Sequence, residues 1–306
     1  MMMNSTKMEI FKDLTHPRTV SEMSSLLELD HSTVSKAVNS LKNDGLVTKQ
    51  KKAQHVYVNR SESLHSQSLR EILIEYPRLP LDNILTNSSL HILSVLNNPY
   101  SIMEIAEITG LNRKTVSSRI NELAKYGIVL QKENKYFFSK RHSLLNKFVD
   151  DYWKYRTNKS LKDISAKAVL IWQRGPEFLF KIDAEFTDSN KMLMESSIHP
   201  TAIDVFHEHG LKVMSDTRYY FYSKRALRNE EYVIHTILID PHSSIYNSYA
   251  LALYSKIDSP ELTKFGRYYG IEDHVRSLLE YVTIKKKNSN FVLPWNEYKD
   301  LVMDLQ

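Results

Sequence analysis

Between residues 30 and 47 the chain reads DHSTVSKAVNSLKNDGLV, with Val34, Val38 and Leu41 at helical spacing on one face. Asp30 is placed to cap a helix whose first turn is His31, Ser32 and Thr33, and Gly45 can adopt the positive φ that ends it. The opposite face carries Ser32, Ser35, Lys36, Asn39 and Lys42. Beyond Gly45 lie two β-like runs, 46–49 and 55–59, joined by a basic loop at 50–54 that contains Lys51 and Lys52. Upstream, Met8, Ile10, Phe11 and Leu14 predict a helix over 5–14 that His16-Pro17 ends. A second helix is expected from Thr19, whose spacing to Glu22 is that of a capping box; Val20, Met23 and Leu26 face its core side, and Leu29 and Asp30 form the turn.

The same pattern returns 82 residues later. Residues 8–47 align without a gap on 90–129, bringing Pro17 onto Pro99, Glu22 onto Glu104, Asp30 onto Asn112, Asn39 onto Asn121 and Gly45 onto Gly127. Apolar and turn positions match best while polar ones vary, as expected of a duplicated fold. The second copy predicts a helix over 112–126, with Arg113, Lys114, Ser117, Ser118 and Arg119 at its outer end. A shorter hairpin over 128–138 follows, with Lys132 and Lys135 near its tip. The stretch between the copies, 61–87, reads as a connector: Leu69, Ile72 and Leu73 suggest a short helix, stopped by Pro77 and Pro80.

After the second hairpin, residues 141–161 predict a long helix with Leu144, Leu145, Phe148, Val149, Tyr152 and Trp153 in one broad stripe. The stripe can pack on its own chain or pair two copies. From 162 onward the pattern changes. Runs at 168–172, 177–182, 218–222 and 232–239 read as strands, 200–209 as a helix, and 243–256, 260–269, 271–283 and 294–305 as later helices. The expected class is α+β: 1–60 and 88–140 as two related units, 61–87 as connector, 141–161 as linker or dimerisation helix, and 162–306 as an α+β domain with a mixed or antiparallel sheet.

Helix, glycine, strand, basic loop, strand is the order of a winged helix-turn-helix. The "STVSKAVNSLKNDGLV" run and the hairpin behind it resemble winged-helix transcription regulators of the MarR and ArsR kind, over about the first half of the chain. The resemblance implies a tandem pair of winged helices, double-stranded DNA as partner, and pairing of two chains.

The chain of 306 residues has 42% hydrophobic and 25% charged residues, as ordinary soluble proteins do. It has no cysteine, which removes disulfide, thiolate and cysteine-ligated zinc chemistry. No apolar run approaches a membrane span, and the N-terminus lacks a signal-peptide core, so a cytoplasmic location without membrane partners is expected. The formal charge of +5 is unevenly placed. Residues 1–60 hold nine Lys/Arg against six Asp/Glu and 88–142 hold eight against four, whereas 143–306 are balanced at 22 each. Such placement suits a polyanion, because phosphate contacts add affinity by releasing counterions.

Ser32, Thr33, Ser35, Lys36, Asn39 and Lys42 in the first copy, with Arg113, Lys114, Ser117, Ser118 and Arg119 in the second, are the expected groups for phosphates and base edges. Lys51, Lys52, Lys132 and Lys135 are expected on phosphates or in the adjacent minor groove. Which copy reads DNA stays open. No Gly-rich phosphate loop occurs, and His199, His207, His209, His235, His242 and His274 have no familiar metal spacing, so no cofactor or metal is expected. Two rival readings remain. One is a protein-interaction module of a transcription or toxin–antitoxin assembly. The other is an enzyme: Asp183 and Glu185 in FKIDAEF would share a sheet face and could hold Mg²⁺. These strands, with the later LTKFGRYYGIEDHVRSLLEYV, are faintly similar to nucleotidyltransferase-like domains of antitoxin-type regulators. A Gly-Ser turn and a third acid are missing, so catalysis is not expected. The C-terminal region is instead assigned to sensing a small molecule or a protein effector, to partner binding or to dimerisation.

Overall fold

The computed structural model describes residues 3–186 and 196–306. The class is α+β, with small antiparallel sheets among a larger helical content. The chain divides into two compact units, Met1–Asn158 and Lys159–Gln306.

The N-terminal unit is built twice over. Helices α1 (Ser5–Asp13), α2 (Val20–Leu27) and α3 (His31–Asn43) return as α6 (Asn87–Val95), α7 (Ile102–Thr109) and α8 (Arg113–Lys125), every boundary displaced by the same 82 residues. The local causes repeat with it. Thr19 and Ser101 each cap the following helix in a reciprocal box with Glu22 and Glu104. Asp30 accepts from the Ser32 and Thr33 amides, and Asn112 from that of Lys114. Gly45 and Gly127 both take positive φ, +72° and +66°, turning the chain out of α3 and α8. Val34, Val38 and Leu41, like Val116, Ile120 and Leu123, are fully buried.

Each copy then forms a hairpin. Strand β2 (Val47–Lys52) pairs antiparallel with β3 (His55–Arg60), and β4 (Val129–Lys132) with β5 (Lys135–Phe138). The two-residue turns Ala53-Gln54 and Glu133-Asn134 each start with a residue at φ near +50°, 52° and 55°. The first hairpin corrects a sequence expectation. Lys51 and Lys52 belong to β2, and the loop expected at 50–54 shrinks to two residues, because Gln50, Lys51 and Lys52 pair across the ladder with Tyr57, Val56 and His55. A short strand β1 (Arg18–Thr19) completes the first sheet on β3, and its counterpart is a single bridge between Tyr100 and Tyr136.

Residues 61–87 contain two helices, α4 (Leu64–Glu75) and α5 (Leu81–Ile84), with Leu69, Ile72, Leu81 and Ile84 buried. The stretch expected to be a connector is thus part of the N-terminal core. A 3₁₀ turn (Lys140–His142) leads into α9 (Ser143–Ile164), whose Leu145, Phe148, Val149 and Tyr152 are buried. Trp153 Nε1 donates to the Leu90 carbonyl at 3.1 Å, Arg156 approaches Asp44 at 3.7 Å, and Ser68 of α4 donates to Asp151 at 3.1 Å. One helix therefore touches both copies, and the stripe that could have paired two chains is taken up within this unit.

The C-terminal unit has one antiparallel sheet in the order β6 (Val169–Arg174), β7 (Glu177–Asp183), β9 (Thr217–Tyr222), β8 (Ile198–Pro200). Phe178 and Phe180 pack with Leu161, Ile198 and Tyr220 on one face. Helices α10 (Asn229–Ile239), α11 (Ser244–Tyr254), α12 (Leu262–Tyr269), α13 (Glu272–Ile284) and α14 (Trp295–Asp304) follow. Two expectations change here. Residues 232–239, read as a strand, lie in α10: Val233, Ile234, His235, Thr236 and Ile237 are all buried, and a continuous apolar run has no period to separate the two structures. Residues 200–209, read as one helix, divide into the end of β8 and a 3₁₀ segment (Ala202–His209) that Gly210 closes.

Candidate nucleic-acid interface

The α3 face opposite the core presents Ser32, Thr33, Lys36, Asn39 and Lys42 to solvent, with Ser35 half-buried. Val34, Val38 and Leu41 point the other way, so the helical period alone separates the two sets. Lys51 and Lys52, at the end of β2, are exposed beside the turn. In the second copy Arg113, Lys114 and Ser118 are exposed, Ser117 and Arg119 half-buried, and Lys132 and Lys135 flank the hairpin tip as paired residues of the ladder. None of the fifteen expected contact residues is buried.

Their partners matter more than their exposure. Lys36, Lys42, Lys51, Lys52, Arg113, Lys114, Arg119, Lys132 and Lys135 form no ion pair among the described residues. Two of the polar groups are partly engaged. Ser32 Oγ donates to Asp30 at 2.6 Å, and Asn39 Oδ1 accepts from Lys49 Nζ at 2.7 Å. Asn39 keeps its amide NH₂ for another acceptor.

That second bond reveals a residue the sequence did not single out. Lys49 of β2 reaches back to α3, ties the hairpin to the helix and stands near Lys42. Burial, and then repulsion from Lys42, hold its ammonium below the usual lysine range. Two cations kept close without a carboxylate between them favour an incoming anion. The strand alternation that puts Lys49 and Lys51 on one side of β2 was the available signal, hidden because 50–54 was read as loop.

The C-terminal acids behave otherwise. β7 ends at Asp183, and Glu185 falls in the 3₁₀ turn Ala184–Phe186. The strand alternation expected to put both carboxylates on one face therefore does not extend to Glu185. Asp183 Oδ1 accepts from Thr217 Oγ1 at 3.4 Å. No group of three or more His, Cys, Asp or Glu that could hold a metal ion occurs among the described residues. His199 and His274 are hydrogen-bonded, to Ser223 O at 3.1 Å and to Asn247 Oδ1 at 3.1 Å.

A buried polar cluster, unforeseen from the sequence, holds this unit together. Arg225 bonds both oxygens of Glu231 at 2.7 Å and meets Glu177 Oε1 at 2.9 Å. Tyr268 donates to Glu177 at 2.9 Å, Ser223 to Glu177 at 2.7 Å, and Tyr269 to Glu231 at 2.6 Å. Since the Tyr269 proton goes to a carboxylate, its oxygen accepts from His235 Nε2 at 2.8 Å, leaving Nδ1 to accept from the Thr201 hydroxyl at 2.7 Å. Burial pushes His235 down to about 3, so it is neutral. Burial, with Glu231 adding repulsion, raises Glu177; burial acts the same way on Glu231, but Arg225 outweighs it and leaves that carboxyl lowered. The cluster ties β7, the chain after β9, α10 and α12; Glu177, Glu231, His235, Tyr268 and Tyr269 are buried and Arg225 half-buried.

Comparison with known proteins adds one finding. The family model described as HVO_2833_C, C-terminal, matches residues 195–306. That span contains Arg225, Glu231, His235, Tyr268 and Tyr269, leaving Glu177 outside. No curated protein matches the chain. No helix among the described residues is long and apolar enough to cross a membrane.

Proposed function

We propose that this chain is a sequence-specific DNA-binding regulator of transcription whose N-terminal unit carries two tandem winged helices. In this reading α3 and α8 enter successive major grooves, and the two hairpins are the wings, with lysines on phosphates or in the adjacent minor groove. The observation that carries it is the set of nine unpaired cations on the same helix and hairpin of each copy. A surface built for a protein partner has no need to keep so many cations free of carboxylates. Asn39 and Arg113 are the groups suited to base edges, to adenine and to guanine respectively. Acting on the chromosome, the protein works in the cytoplasm. The C-terminal unit is left to pair two chains or to receive an effector, since the α9 stripe is occupied.

A mobility-shift titration with fragments of the source genome tests this. Affinity should fall steeply with salt, with a slope of about −0.9 for each phosphate neutralised. Failure to shift any fragment at low salt refutes it.

A further inference from the structure

Asp44 and Tyr126 close α3 and α8 at the same position of the repeat, yet the two helix ends are finished differently. At the first, a Cβ on Gly45 would overlap the Tyr155 ring. Arg156 reaches Asp44, and His65 Nε2 bonds the Asp44 carbonyl at 2.8 Å. At the second, a Cβ on Gly127 would meet nothing within 4 Å.

Beside the end of α8 lies an open groove of about 640 Å³, lined by Glu75, Tyr76, Arg78, Tyr126, Arg141 and His142 among others. Arg78 and Arg141 are exposed and form no ion pair among the described residues. His142 is only 7% exposed, and its Nδ1 is buried with no hydrogen-bond partner there. Tyr76 packs against the His142 ring with ring centroids 5.2 Å apart.

We propose that this groove binds a phosphate monoester carrying a flat ring, the chemistry of a nucleoside monophosphate. Two guanidinium forks suit a doubly charged group with several acceptor oxygens better than a single carboxylate. The tyrosines offer flat faces to the ring. The exposed Glu75 can accept from a sugar hydroxyl. The volume is in the range of small-molecule sites. In the first copy the Tyr155 ring of α9 covers Gly45, whereas nothing covers Gly127. A ligand here would sit at the C-terminal end of α8, whose N-terminal end carries Arg113 and Lys114. Any effect on DNA affinity rests on the function proposed above; binding itself does not.

The test is calorimetric titration of the full chain, without DNA, with AMP, GMP, CMP and UMP, and with adenosine and benzoate as further arms. At least one nucleotide should bind saturably. Arg78→Gln or Arg141→Gln, both at exposed positions, should weaken it at least about tenfold, and adenosine should not bind. No saturable binding of any of the four nucleotides overturns the proposal. So does binding that neither substitution weakens, or binding of benzoate alone. Because no DNA is present, failure here leaves the mobility-shift result untouched, and the reverse holds as well.

Discussion

Replacing the two equivalent glycines by alanine should have unequal costs, and the inequality measures what α9 contributes to the first copy. Both residues have positive φ, so alanine at either site carries left-handed strain of roughly 1–2 kcal/mol. At Gly127 that is the whole cost, because the new methyl group meets nothing. At Gly45 the methyl would overlap the Tyr155 ring, which has to swing away from His65, against which it packs with ring centroids 4.6 Å apart. Losing such a contact costs about 1 kcal/mol. Gly45→Ala should therefore destabilise the N-terminal unit by about 2–3 kcal/mol and Gly127→Ala by about 1–2 kcal/mol. Hydrogen exchange in graded urea, followed by mass spectrometry on peptides from α3 and α8, reads this unit separately from the C-terminal one. A Gly45→Ala/Tyr155→Ala double variant should recover the excess, since the two sites are coupled through the overlap. Equal costs at the two glycines, or strict additivity with Tyr155→Ala, would refute the reasoning.

Other outcomes follow from the same geometry. Lys51→Ala with Lys52→Ala should weaken DNA binding on all sequences alike and reduce the salt slope by about 0.9 per lost phosphate contact, whereas Asn39→Ala or Arg113→Ala should change base preference at one position by about 1–3 kcal/mol; mobility shifts against a randomised duplex separate the two effects. Arg225→Met leaves Glu177 and Glu231 buried without their cation and should cost about 3–5 kcal/mol in thermal unfolding of the C-terminal unit. For His235, the folded value lies below the unfolded one near 6.5, so the unfolded chain binds more protons between them. Its contribution is intact above pH 6.5 and is lost as pH falls toward 3. Urea midpoints from pH 7 to 5, above the carboxylate range, should decline less in His235→Gln than in the unaltered protein.

The repeat was legible because its signals are local. Caps, apolar spacing and terminal glycines sit within a few residues of the structure they cause, and the 82-residue offset read from identities is the offset of every helix boundary in the two copies. The fifteen contact candidates came from the same source, and all lie outside the core. What escaped depended on distance along the chain. Glu177, Arg225, Glu231 and Tyr268 are meaningless singly and become one cluster only when β7, α10 and α12 are brought together. Gly127 and Gly45 look alike in sequence, and only the position of Tyr155 makes one covered and the other open. The strand assigned to 232–239 failed for a different reason, since burial on all sides erases the periodicity that separates strand from helix.

The position of α9 has a consequence for how the protein is made. Trp153 completes the second copy and Tyr155 and Arg156 complete the first, so neither is finished when its own last strand has left the ribosome. Both wait for the same few residues. A nascent chain that stalls before residue 143 would hold two halves that lack these contacts, and translation through α9 supplies them together.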